Sequence, residues 1–75
     1  MKCKVGDRVV CNGYKAFGVM DGYKGTVRKV STTDCVVHFD EVIDGWGDKR
    51  LRIPKPQGLY VPFEYLTLIE KEENL

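Results

Sequence analysis

The chain has 75 residues, of which 43% are hydrophobic and 31% are charged, and its formal net charge is +1. A chain of this length supports one domain that buries only about 60% of its unfolded surface, which leaves no room for an enclosed active site. Its apolar runs are far shorter than the ~20 residues that span a bilayer, and its N-terminus lacks the apolar segment of a secretory signal. We therefore expect a cytoplasmic protein without a membrane segment, and the balanced charge excludes crude polyanion attraction as its main mechanism.

The first predicted strand covers residues 8–11, where Val9 and Cys11 fall on one face and Arg8 and Val10 on the other. Residues 13–24 follow as a long, structured loop, because their glycines and aromatic residues show no steady alternation. The aromatic side chains of this loop cover one end of the core or form half of a binding surface, and both interpretations stay open.

A β-hairpin is predicted next, with strands at residues 26–30 and 35–39 and a polar connection at residues 31–34. Alternation divides the second strand into two faces. The expected core face carries Cys35, Val37 and Phe39. The expected outer face carries Val36, His38 and Asp40.

Residues 44–58 are predicted to form a long functional insertion. Pro54 and Pro56 cannot donate to a strand ladder, so the segment around them is expected to be an edge or polyproline-like segment and no core strand. One helical turn is predicted within residues 60–65, followed by a closing strand at residues 66–69. The side chains expected to be buried together are Val9, Val27, Val37, Phe39, Leu66 and Leu68.

The succession VGDRVV, GTVRKV, CVVHFDE and VPFEYLTLI over residues 4–69 resembles the small SH3-like barrel. This resemblance implies an all-β domain at residues 1–69, built as a five-stranded antiparallel barrel with a long insertion and one helical turn before the last strand. Residues 70–75 are then an acidic, flexible tail. Among SH3-like members, KOW-like modules imply RNA contact, Tudor-like modules an aromatic cage, and the photosystem and ferredoxin-reductase accessory subunits protein docking.

Neither a catalytic site nor a cofactor or metal site is expected. Three cysteines without C-x-x-C spacing are typical of reduced thiols. A zinc site made from these cysteines and His38 is the alternative, although Cys35 and His38 lie three apart on a strand and point to opposite faces. The same divergence argues against a Cys/His nucleophile pair, and the single serine, Ser31, lies in a predicted turn.

Two functions remain. The first is a protein-docking module, because aromatic residues on loops supply the anchors that dominate interface energies. The second is RNA, DNA or ribonucleoprotein binding, with basic residues on phosphates and an aromatic ring stacked on a base. The candidate binding residues are Tyr14, Phe17, Tyr23, Trp46, Lys49, Arg50, Arg52 and Lys55.

Overall fold

The computed structural model describes residues 3–69 and shows an all-β chain with one 3-10 turn. The elements are β1 (Arg8–Cys11), β2 (Tyr23–Val30), β3 (Asp34–Phe39), β4 (Trp46–Asp48), β5 (Ile53–Pro62), the 3-10 turn (Phe63–Tyr65) and β6 (Leu66–Leu68). All neighbouring strands are antiparallel, in the order β4-β5-β3-β2-β1-β6. The predicted tail at residues 70–75 lies outside the described residues. Within residues 3–69 no helix is long and apolar enough to cross a membrane.

The predicted hairpin is confirmed as β2 and β3. Val27 pairs with Val37, and the turn is closed by a hydrogen bond of 2.8 Å from the Ser31 amide to the Asp34 carbonyl. A register shift between Val27 and Lys29 marks a β-bulge in β2. The polar connection therefore forms a short turn between two well-paired strands, as the alternation predicted.

The hydrophobic core lies on one face of the sheet and draws on five of the six strands. Its buried members are Val9, Cys11, Val19, Val27, Cys35, Val37, Phe39, Ile43, Leu59, Val61 and Leu66. Five of the six predicted core residues belong to this cluster, but the prediction for Leu68 is wrong, because 43% of its surface is exposed. β6 is an edge strand that pairs only with β1, and Leu68 lies beside Cys3 at the rim of the core.

The proline-containing residues 53–56, predicted as an edge or polyproline-like segment, form the first part of β5 and lie beside the edge strand β4, outside the stretch that pairs with β3. The ten-residue strand β5 begins at Ile53, which is buried, and pairs with β3 from Gly58 to Pro62. Both prolines precede that stretch and lie where the β4–β5 register shifts, so that residues 54–57 form an irregular bulge. A bulge requires no regular ladder donor, which is why the two prolines are tolerated. The insertion thus adds β4, and the sheet has six strands where five were predicted.

The loop between β1 and β2 is structured, as predicted, and side-chain hydrogen bonds hold its ends. Asp21 accepts a bond of 2.8 Å from the Gly13 amide, and Asn12 accepts one of 2.9 Å from the Gly22 amide. The loop also places Val19 in the core. These bonds bring the two ends of the loop together at the end of the β1–β2 ladder.

An ion pair connects the start of β1 to the end of β3. The Arg8 guanidinium donates two hydrogen bonds, of 2.6 and 2.9 Å, to the Asp40 carboxylate, and a third of 2.9 Å to the Thr26 hydroxyl. The hydrogen bonds between the two side chains lower the pKa of Asp40 and raise the pKa of Arg8, and the attraction between the opposite charges adds to both shifts. The pair therefore fixes the relative positions of β1, β2 and the end of β3.

Candidate binding groove

A groove of about 200 Å³ opens on the face of the sheet opposite the core, across β4, β5 and β3. Its floor consists of the buried side chains Val36 and Ile53, and its walls are the half-exposed rings of Trp46 and Tyr60. We call this feature the outer groove. An aliphatic floor between two aromatic walls is suited to an apolar group, which gains by leaving water.

Strand register explains why these side chains meet. Val36 pairs with Tyr60, and Trp46 pairs with Gly58. Because Gly58 and Tyr60 are two residues apart on β5, all of these positions lie on the same face of the sheet. Gly58 has no side chain, which leaves room for Ile53: a Cβ atom at Gly58 would lie 2.9 Å from the Ile53 Cγ2 atom. The outer groove is therefore a consequence of pairing β4 with β5.

Val36 was predicted on the outer face of β3 and lies there, yet only 6% of its surface is exposed. The alternation is as predicted, since Cys35 and Val37 point into the core on the opposite face. Val36 is covered because β4 and β5 place Trp46 and Tyr60 on the outer face beside it. At this point β3 is buried on both faces, which is unusual for an antiparallel sheet with one solvated side.

Trp46 is 55% exposed and leans against another aromatic ring. The ring centres of Trp46 and Phe17 are 5.7 Å apart with an interplanar angle of 56°, a tilted arrangement that aromatic pairs favour. The Asp44 amide donates a hydrogen bond of 2.8 Å to the Phe17 carbonyl and so ties the loop to the approach of β4. Gly47 permits β4 to lie close to β5, because a Cβ atom there would be 2.8 Å from the Lys55 nitrogen.

The structure separates the four predicted aromatic residues into two groups. Phe17 and Trp46 come together at the outer groove, whereas Tyr14 pairs with Tyr65 at a ring-centre distance of 5.0 Å. Tyr23 is partly buried against the core. Tyr14 and Tyr23 therefore cover the core, whereas Phe17 belongs to the exposed surface.

Tyr60 was not among the predicted site residues, because residues 60–65 were assigned to a helical turn. The alternation of Gly58, Leu59, Tyr60 and Val61 carried a signal for a strand, with Leu59 and Val61 directed to the core. The adjacent Pro62 favoured the helical interpretation. In the structure the turn begins only at Phe63.

All four predicted basic residues are exposed. Lys49, Arg50 and Arg52 lie in the turn that joins β4 to β5, and Lys55 lies in β5. The Asp48 carboxylate accepts hydrogen bonds from the backbone amides of Arg50 and Leu51, at 2.9 and 3.1 Å. This local bonding organises the start of the turn.

In the part of the chain that the structure describes, the three cysteines and His38 do not form the zinc site that the sequence left as an alternative. No three His, Cys, Asp or Glu side chains among residues 3–69 are placed to hold a metal ion, and Cys3, Cys11 and Cys35 are free. Burial raises the pKa of Cys35 to about 12, with a further contribution from the neighbouring Cys3. Burial and the charge of Asp21 raise the pKa of Cys11 to about 11. Both buried thiols are thus protonated at neutral pH and are poor nucleophiles.

Comparisons of the chain with protein-family models, curated proteins and solved structures found no significant match.

Proposed function

We propose that this protein is a non-catalytic binding module that docks onto a protein partner through the outer groove and the Phe17–Trp46 pair. The observation that carries the proposal is the exposure of two large aromatic side chains on either side of a buried aliphatic floor. Exposed aromatic residues around a preformed pocket have the character of interface hot spots. The near-neutral charge supports a protein partner, because it provides little long-range attraction to a polyanion.

We also propose that the fold belongs to the SH3-like class. The order β6-β1-β2-β3-β5 is a meander whose last strand returns to the side of the first, and a 3-10 turn precedes that last strand. Leu66 of β6 and Val61 of β5 contribute to the same buried cluster although their strands are four places apart in the sheet. A sheet whose distant strands share one core is strongly coiled, which favours this class.

Nucleic-acid binding is the second candidate. The specific observation in its favour is the exposed set of Lys49, Arg50, Arg52 and Lys55 near a half-exposed tryptophan. Cations with an adjacent aromatic ring are the combination that single-stranded nucleic acids require. The aliphatic floor weighs against it, because Val36 and Ile53 offer no side-chain hydrogen bond to a base edge.

Affinity capture with and without nuclease separates the two candidates. The wild-type protein, Trp46→Ala and Val30→Ala are immobilised and exposed to a lysate of the cells that carry the protein. Val30 is the matched control, since it is an exposed valine outside the outer groove. We expect a protein that wild type and Val30→Ala retain after nuclease treatment, and that Trp46→Ala binds about 2 kcal/mol or more weakly.

Capture that nuclease abolishes would contradict the proposal and support nucleic-acid binding. Equal capture by Trp46→Ala would also contradict it. Circular dichroism verifies that each variant is folded, and Tyr60→Ala replaces Trp46→Ala if the latter unfolds, since Tyr60 forms the opposite wall of the outer groove.

A further inference from the structure

The basic turn begins at one end of the outer groove. Asp48 and Ile53 both line the outer groove, and they are also the paired residues from which the β4–β5 turn departs. Lys49 and Arg52 are their immediate neighbours in the chain, and Arg50 lies between them in the same turn. Positive charge is therefore concentrated at this end of an apolar groove.

These cations are not neutralised within residues 3–69. The ion pairs that this part of the chain forms are Arg8–Asp40 and Lys15–Asp21, and neither involves the turn. The nearest acid in sequence, Asp48, directs one carboxylate oxygen to backbone amides of the turn. A cluster of exposed like charges without local partners destabilises the free protein slightly and favours an acidic ligand.

The size of the outer groove limits what it accepts. Its volume of about 200 Å³ is below the roughly 300–1,000 Å³ of pockets that enclose a drug-sized ligand or cofactor. A single apolar side chain fits such a space better than a complete small molecule does. The half-exposed Trp46 and Tyr60 would then lose water on both sides of that side chain.

We propose, building on the protein-docking function above, that the partner presents an extended acidic segment with one apolar anchor. The anchor side chain occupies the outer groove between Trp46 and Tyr60. Carboxylates that flank the anchor contact Lys49, Arg50 and Arg52, where each guanidinium can hold a carboxylate through two parallel hydrogen bonds. The anchor supplies most of the affinity, and the carboxylates determine which partner is chosen and in which direction it lies.

Selection from a displayed library of random dodecapeptides tests this inference. The wild-type protein is the bait, and clones that also bind Trp46→Ala are removed. We expect the retained peptides to share one large apolar residue flanked by Asp or Glu. Retained peptides without acidic enrichment would overturn the acidic partner and leave the docking function standing. A library that yields no Trp46-dependent peptide would contradict both.

Charge reversal provides the second measurement, made by fluorescence anisotropy on a selected peptide. Lys49→Glu combined with Arg50→Glu should weaken binding tenfold or more, and replacing the flanking acids of the peptide by Lys should restore it. The matched control is Lys24→Glu combined with Lys29→Glu, which reverses two exposed cations of β2 outside the outer groove and should leave the affinity within about twofold.

If the Lys-substituted peptide does not bind the Lys49→Glu, Arg50→Glu double variant, the proposed pairing of charges is overturned. A single-stranded oligonucleotide is titrated as a competitor in the same assay. Unlabelled peptide is titrated in parallel. If the oligonucleotide displaces the labelled peptide at a lower concentration than the unlabelled peptide does, the inference is overturned in favour of nucleic-acid binding.

Discussion

Phe39 and Phe17 show how strongly the environment of one residue type decides its role. Phe39 is 1% exposed at the end of β3, whereas Phe17 is 42% exposed and contacts Trp46. Phe39→Ala removes a buried ring and leaves a cavity, so we expect a loss of about 3–5 kcal/mol in the free energy of unfolding. That loss is a large fraction of the stability of a small domain.

Phe17→Ala is the matched control for Phe39→Ala, and urea denaturation followed by circular dichroism measures both. We expect Phe17→Ala to cost less than Phe39→Ala, because 42% of Phe17 is already exposed and its removal leaves no enclosed cavity. Comparable losses in the two variants would show that the division between core and surface is wrong.

The two buried thiols make the stability of the protein depend on pH in the alkaline range. The pKa values of Cys11 and Cys35 are about 11 and about 12 in the folded protein, above the ordinary 9.0. Below pH 9 both thiols are protonated in either state, and the stability is fully present. As the pH rises above 9 the unfolded thiols ionise first, which costs the fold about 1.4 kcal/mol per pH unit for each thiol until its folded pKa is reached.

Urea denaturation at a series of pH values from 8 to 11 measures this loss. Other groups also titrate in this range, so the comparison is with Cys11→Ala and Cys35→Ala, each of which should show a shallower decline. Alkylation by iodoacetamide gives an independent readout: Cys3, which is only partly buried, should react first in the folded protein. Equal alkylation rates for Cys3 and Cys35 without unfolding would contradict the burial of Cys35.

At the scale of elements, β4 is the one strand of the sheet in residues 3–69 without a buried or half-buried residue, and yet it completes the outer groove. It has three residues, all exposed, and pairs only with β5. β3, in contrast, is paired on both sides and buried on both faces at Val36. Short edge strands with few buried contacts open most readily, so the free energy of local opening should be lowest at β4.

Gly47→Ala should disturb the outer groove and leave the rest of the fold intact. The added Cβ would lie 2.8 Å from the Lys55 nitrogen, which displaces β4 from β5 at a cost of about 1–3 kcal/mol. Amide hydrogen exchange should accelerate in residues 46–48 and 53–58 and stay unchanged in β1 and β2.

Gly25→Ala is the contrasting variant, since its Cβ would lie 2.7 Å from the His38 carbonyl oxygen between two central strands. We expect exchange to accelerate throughout the sheet in that case. A global acceleration in Gly47→Ala as well would show that β4 is not an independent element.

Whether an element could be predicted depends on whether its local sequence preferences agree with its pairing in the folded sheet. The β2–β3 hairpin has alternating residues on both strands and a polar turn between them, so local preferences and tertiary pairing agree. In the insertion they disagree. Pro54 and Pro56 argue against a strand, and the two partners that nevertheless make one of Ile53–Pro62 are β4 along its first half and β3, which is distant along the chain, along Gly58 to Pro62. Proline is excluded from a regular ladder because it has no amide hydrogen to donate, but a bulge tolerates it.

At the scale of the molecule, the candidate site combines segments that are far apart in the sequence. Phe17 comes from the first loop, Val36 from β3 and Tyr60 from β5, while Trp46 belongs to the insertion. The sequence named Phe17, Trp46 and the basic residues beside Trp46 as binding candidates and left open whether Trp46 is exposed, but it also included Tyr14 and Tyr23, which cover the core. Which aromatic rings meet depends on strand order, and strand order is set by pairing over long separations.

The sequence by itself determined the all-β class, the central hairpin and most of the core, because alternation and turn composition act over a few residues. Only the tertiary structure decided that Leu68 remains at the rim, that Val36 is covered and that the insertion supplies a sixth strand. Each of these depends on what lies across from a residue on another strand. Local preferences specify which face a side chain takes, whereas burial also requires a neighbour to cover that face, and that neighbour is supplied by the folded sheet.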